Sequence, residues 1–299
     1  MKTLVVTDLH LIEEELPFTR EASRNSLIIL DELIRVVSLD KDIGLIVLLG
    51  DIVNKRPKIK KTEMIWFNKL DKLKRLVNSR YREMPEIKYW NKDGTEGMLR
   101  NRLVSLKGNH DYEDNNRWNR GKSYFDELVE KNIIVNPEAL EFYDNGERYY
   151  YHLRGFGEGD KTMGEEYLKA DKVIGFTHDW FFGEGLPENY NKYSSISRVR
   201  FWLEQSVYGL DVLIQGHSHS RYDPVEVKGF IKKGEERDSY STTKVYTPGS
   251  NARTNYTEDM FRDVGYNMII DTEDFYVGDV FIPIKPYKDY FKIEEDKLV

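Results

Sequence analysis

The stretch LVSLKGNHDYED (residues 103–114) decides how this chain is read. An apolar run of strand character ends at Gly108. An amide (Asn109), an imidazole (His110) and a carboxylate (Asp111) then follow without a gap. Gly, Asn and Asp are turn formers, so taken alone this is a turn after a buried strand. Four other apolar runs end in the same manner, in TDLH (7–10), LLGD (48–51), GFTHD (175–179) and IQGHSH (214–219). In an open α/β sheet the carboxyl ends of the strands are where ligands bind, so the five ends are expected to meet on one edge.

Between these strand ends the apolar spacing turns helical. Residues 22–37 carry Leu27, Leu30, Leu33, Ile34 and Val37 on one side, and 62–77 carry Trp66, Leu70, Leu73 and Val77 on one stripe. Residues 122–132 and 194–209 read as further helices. RYYYHLRGF (148–156) reads as a strand. The closing segment, about 222–290, is a series of short strands separated by turns. With no internal repeat and no Pro- or Ser-rich linker, residues 1–299 are expected to form a single α/β domain.

The bulk numbers suit a water-soluble globular chain: 299 residues, 39% hydrophobic and 32% charged, with a mean hydropathy of −0.64. No run approaches the roughly 18 consecutive apolar residues of a membrane span. MKTLVVTDLH (1–10) turns acidic after four apolar residues and reads as a strand, not a secretory leader. The expectation is a cytoplasmic protein with no membrane partner. There is no cysteine, so disulfides and thiolate metal sites are excluded.

Five of the six histidines (His10, His110, His178, His217 and His219) lie in the strand-end loops, together with Asp8, Asp51, Asp111 and Asn109. His152, inside YYYHLRG, reads as a strand residue. Neutral imidazoles with hard oxygen ligands and no sulfur suit divalent ions such as Mn, Fe or Zn. The donors are too many for one tetrahedral ion and about enough for two at ~3.5–4 Å, the arrangement used for in-line phosphoryl displacement.

The ordered set DLH (8–10), GD (50–51), GNHD (108–111), TH (177–178) and GHSH (216–219) resembles the signature of the calcineurin-like metallophosphoesterases. The resemblance implies a four-layer αββα sandwich with its metal site at the C-terminal ends of the strands. It implies one metal on Asp8, His10 and His219, a second on Asn109, His178 and His217, and Asp51 bridging them. It makes His110 a catalytic group facing the scissile phosphate and Asp111 the carboxylate that orients it. The implied reaction is phosphodiester hydrolysis by a metal-bridging hydroxide. The two divalent ions are expected to be Mn, with Fe, Zn or Mg as alternatives.

Within that superfamily, Leu11 and GDIVNKR (50–56) depart from the Ser/Thr protein phosphatases, and Asn54 stands where purple acid phosphatases require Tyr. The ending resembles that of the SbcD-like DNA-repair exonucleases, through Pro248-Gly249-Ser250, Arg253, Glu258, Gly265-Tyr266 and Ile282-Pro283-Ile284. That resemblance implies a DNA nuclease. Residues 55–82 hold eleven Lys or Arg against two acids, which suits phosphate tracking, and Trp66, Phe67, Tyr81 and Trp90 are candidate stacking platforms. The same segment reads equally as a solvated helix face with Trp66 in the core. The overall charge of −7 and the compact length suit a small nucleotide or other phosphate ester instead. An ATPase partner, as the SbcD-like proteins have, and a homodimer are left open.

Overall fold

The computed structural model describes residues 1–11, 20–53, 60–113, 123–158, 169–179, 210–217, 221–233, 236–249, 251 and 265–282. In chain order its elements are β1 (Lys2–Val6), α1 (Arg20–Leu39), β2 (Ile43–Leu48), α2 (Lys60–Asn78), β3 (Ile87–Trp90), β4 (Glu96–Met98), β5 (Leu103–Ser105), α3 (His110–Glu113), α4 (Tyr124–Glu130), β6 (Ala139–Asp144), β7 (Glu147–Arg154), β8 (Lys172–Thr177), β9 (Val212–Gln215), β10 (Tyr222–Lys233), β11 (Glu236–Thr247), β12 (Tyr266–Asp271) and β13 (Tyr276–Phe281).

Two sheets organise them. The first runs β13-β12-β1-β2-β5 and the second β10-β11-β9-β8-β7-β6-β3-β4. β1, β2 and β5 are parallel, as are β7, β8 and β9. All the carboxyl ends within each parallel set therefore leave on one edge.

β2 is the sequence IGLIVL, buried at every position because it has a core on each side. Ile46 and Leu48 face the helices, while Leu45 and Val47 face the second sheet. The outer core joins Leu30, Leu33, Ile34 and Val37 of α1 to Trp66, Leu70, Leu73 and Val77 of α2, the stripes expected from helical spacing. The inner core packs Val5, Val104 and Met268 against Tyr149, Tyr151, Ile174, Phe176 and Ile214. Helices, first sheet and second sheet are thus three successive layers of the expected αββα sandwich. The helix expected over 194–209 lies outside the described residues.

α4 begins with a reciprocal cap. Ser123 Oγ accepts the Asp126 amide at 3.1 Å, and the Asp126 carboxylate accepts the Ser123 amide at 3.3 Å. β3, β4 and β6 were not anticipated from sequence, since their short mixed runs (IKYW, EGM, ALEFYD) lack a clear period of two. No helix among the described residues is long and apolar enough to cross a membrane.

Candidate metal centre

Four candidate ligands occupy left-handed backbone: Asp8 (φ 38°), His10 (φ 39°), Asp51 (φ 47°) and His217 (φ 69°). For side chains other than Gly this conformation costs about 1–3 kcal/mol each, so such residues mark sites where function over-determines the backbone. The loop after β1 is zipped to the loop after β2. His10 N–H donates to Asp51 O at 2.8 Å and Leu11 N–H to Ile52 O at 2.9 Å. Asp8 receives the His217 amide at 3.3 Å on both carboxylate oxygens, which links the first sheet to the end of β9.

Asp51 is the centre of the arrangement. Its Oδ1 accepts the His110 amide at 2.9 Å. Its Oδ2 is left 3.4 Å from His10 Nε2 and 3.2 Å from His178 Nε2. This buried oxygen has no aligned hydrogen bond among the described residues. His178 Nδ1 lies 2.6 Å from the Leu49 carbonyl, to which it donates, so Nε2 is aimed at Asn109 Oδ1 (3.0 Å) and at Asp51.

Two ligand clusters result, one of His10, Asp51 and His110 and one of Asp51, His178 and His217, with donor atoms in each within 4.8 Å of one another. Asp51 belongs to both, as a bridging carboxylate must. Asp8 stands beside them, with Oδ1 4.0 Å from His10 Nε2 and 3.9 Å from His178 Nδ1. His219 lies outside the described residues. The donor set, imidazole and carboxylate with an amide oxygen, fits divalent ions.

The electrostatics agree with a site built for positive charge. Burial pushes the Asp8 carboxyl up to about 7. Burial lowers the His10 imidazole to about 4. Burial also opposes charge on His178, yet Asp51 and Asp8 outweigh it and raise the imidazole to about 10. Burial would likewise raise Asp51, but His178, His10 and His110 hold its carboxyl well below the usual range. Positive charge between Asp51 and Asp8 is thus favoured in the metal-free chain.

The Asp111 carboxylate accepts three backbone amides. Its Oδ1 accepts the amides of Ile52 (3.1 Å) and Val53 (3.4 Å), and its Oδ2 accepts that of Gly108 (2.9 Å). These bonds tie the loop after β2 to the loop after β5 and so set Asp51 against Asn109. The His110 ring meets His10 edge-on at a centroid distance of 4.8 Å.

Sequence reasoning missed two contributors. Asn251 donates from Nδ2 to the Thr7 carbonyl at 2.6 Å and to Asn267 Oδ1 at 2.7 Å, bracing the backbone that carries Asp8. Phe156 packs on the histidines of the second cluster; its signal in the sequence was the pair of glycines flanking it.

Among the candidate stacking platforms Trp66 is corrected. Trp66 is fully buried and cannot stack on a base. Phe67 packs against the outer core, Tyr81 lies under the Arg100 and Arg102 guanidiniums, and the Trp90 indole bonds Glu96 in a short hairpin. Lys69 pairs with Asp31, and Lys74 and Arg75 pair with Asp71 at 2.7 and 2.6 Å. Arg80 is buried and donates to the carbonyls of Val37, Asp40 and Ile43, closing the end of α1. Residues 55–59 lie outside the described residues.

The sequence pattern of the family described as calcineurin-like phosphoesterase matches residues 1–221. No curated protein matches significantly. Solved structures similar to the chain include an archaeal phosphodiesterase, 14% identical, covering 94% of this chain and 99% of its own, with a TM-score of 0.41. Others are a hypothetical protein from Thermus thermophilus (11% identical, 94% and 98% covered, TM-score 0.43) and GAP50, the anchor in the inner membrane complex of Plasmodium (10% identical, 96% and 86% covered, TM-score 0.47). At these scores the likeness says nothing of substrate.

Proposed function

Because the chain belongs to the calcineurin-like phosphoesterases, we propose that it is a two-metal phosphodiesterase whose ions are held by Asp8, His10, Asp51, Asn109, His178, His217 and His219. The observation that carries this reading is the Asp51 Oδ2 atom, buried between the Nε2 atoms of His10 and His178 with no aligned hydrogen bond of its own among the described residues. When bound, divalent ions lower the pKa of water and offset the charge of the phosphate oxygens.

The chain's own groups do the rest. Asp51 fixes both halves of the site through one carboxylate. Leu49 O accepts from His178 Nδ1, which orients Nε2 toward Asp51 and Asn109, where a cation would be held. His110 is the acid that gives a proton to the departing ester oxygen, the step general acids accelerate by about 10²–10⁴-fold. Asp111 keeps its backbone in register through Gly108.

A small diester is the substrate class favoured by the internal pairing of the α2 charges, which spends Lys69, Lys74 and Arg75 on neighbouring acids. The DNA nuclease or exonuclease reading rests on the resemblance of the closing segment. One panel separates the two. Metal-stripped protein is reloaded with Mn, Fe, Zn or Mg and assayed on bis-p-nitrophenyl phosphate, cyclic nucleotides and labelled single- and double-stranded DNA. Metal-restored hydrolysis of the small diesters with DNA left intact is expected. DNA cleavage would replace this reading with the nuclease one, and inactivity on every ester with every metal would remove both.

A further inference from the structure

The turn leaving β7 reads Arg154-Gly155-Phe156-Gly157-Glu158. The Phe156 ring centroid is 5.4 Å from that of His217 and 6.1 Å from that of His178, and the two imidazoles meet each other at 5.2 Å. One half-buried aromatic side chain thus touches both imidazoles of the second cluster.

The turn is fastened so that this ring cannot drift. Phe156 N–H donates to the Lys107 carbonyl at 2.8 Å, immediately before Gly108 and Asn109. Gly157 N–H reaches the Asp179 carboxylate at 3.3 Å, immediately after His178. Gly155 N–H donates to the Glu158 carboxylate at 3.0 Å, and Glu158 pairs with Lys92. Both glycines are required for this path. A Cβ at 155 would come within 2.9 Å of Lys107 O, and Gly157 has φ +64°. The fastening points therefore adjoin Asn109 on one side and His178 on the other.

An imidazole's χ2 is a broad torsion that packing must fix, and an apolar shell around ligands governs how they meet the ion. We propose that Phe156 is a positioning residue for the second divalent ion, its ring setting the planes of His178 and His217 so that their donor nitrogens converge with Asp51. The inference rests on the two-ion reading above.

Titration calorimetry of Mn²⁺ into metal-stripped wild type, Phe156→Ala and Phe156→Tyr tests it, alongside melting temperatures of the three metal-free proteins. Wild type should take up two ions. Phe156→Ala should keep one of the two affinities and weaken the other about 10–100-fold, the usual scale for losing outer support. Phe156→Tyr, which keeps the ring, should restore the weakened affinity to the wild-type value, and the metal-free melting temperatures should agree. Unchanged binding of both ions by Phe156→Ala would overturn the proposal. So would equal weakening of both ions together with a lowered metal-free melting temperature, which would mark a role in folding only. Failure of wild type to bind a second ion would instead remove the two-ion reading, and this proposal with it.

Discussion

Gly108 and Asp51 are packed so closely that a Cβ on residue 108 would overlap both the carboxylate and the backbone nitrogen of Asp51. One of these contacts is with backbone, so a rotamer change of Asp51 alone cannot relieve the overlap. Gly108→Ala should therefore push the loop after β5 away from the loop after β2. It should cost about 1–3 kcal/mol of stability, the range for overpacking. Displacing Asn109 and His110 together should lower kcat/KM by about 100-fold, as misplacement of about 1 Å does. Denaturant unfolding and steady-state kinetics on a diester measure the two effects separately.

Asp51→Asn should abolish the coupling between the two halves of the site. In wild type, a divalent ion at 100 times its Kd adds about 2.7 kcal/mol per site to the folded state, so the melting temperature should rise with added Mn and fall with chelator. The amide has one oxygen, and the carboxylate oxygen between His10 and His178 becomes neutral or is replaced by nitrogen. The metal-dependent rise should then largely vanish, with kcat down about 100-fold or more. A wild-type-sized rise in the variant would show that Asp51 is not a ligand.

His110 is the group whose role the geometry leaves closest to a choice, because its ring nitrogen joins His10 and Asp51 in one cluster. If it is the acid and not a ligand, His110→Gln should still bind two ions with near-wild-type affinity while kcat falls about 10²–10⁴-fold. Substrates with a good leaving group, such as p-nitrophenolate, should lose less than alkyl esters, since they need less proton donation. Loss of one ion in calorimetry would reassign His110 to the first metal.

The strands and helices that build the site could be read in advance because each buries a long, unbroken signal. β2 is apolar on both faces, and α1 and α2 carry stripes at helical spacing. β3 and β4 escaped because they lie at one end of the second sheet, where partial exposure breaks the apolar pattern, and β6 because the buried Glu141 interrupts its apolar run. Within the site, residue types at fixed offsets pointed to the candidate ligands, but the amide bonds of Asp111 did not show, since a carboxylate's partners are set by loops distant in sequence. The basic run over 55–82 left two readings open for a related reason. A charge count is blind to Asp31 and Asp71, which the α1–α2 packing brings against Lys69, Lys74 and Arg75.

His152 offers a pH test away from the metal cage. It lies in β7 and is buried, and burial, reinforced by Arg154, lowers its imidazole to about 4. In the unfolded chain an imidazole titrates near 6.5. Between those values the unfolded state binds the extra proton, so stability rises with pH through this window and is lost as pH falls from about 6.5 toward 4. The shift corresponds to a loss of up to about 3 kcal/mol by pH 4 relative to neutral pH. His10 contributes with the same sign in the metal-free chain, so wild type and His152→Gln are compared, both in chelator. The stability of the variant should fall less steeply than that of wild type between pH 6.5 and 4. Parallel curves for the two proteins in urea unfolding would show that His152 does not fold in its neutral form.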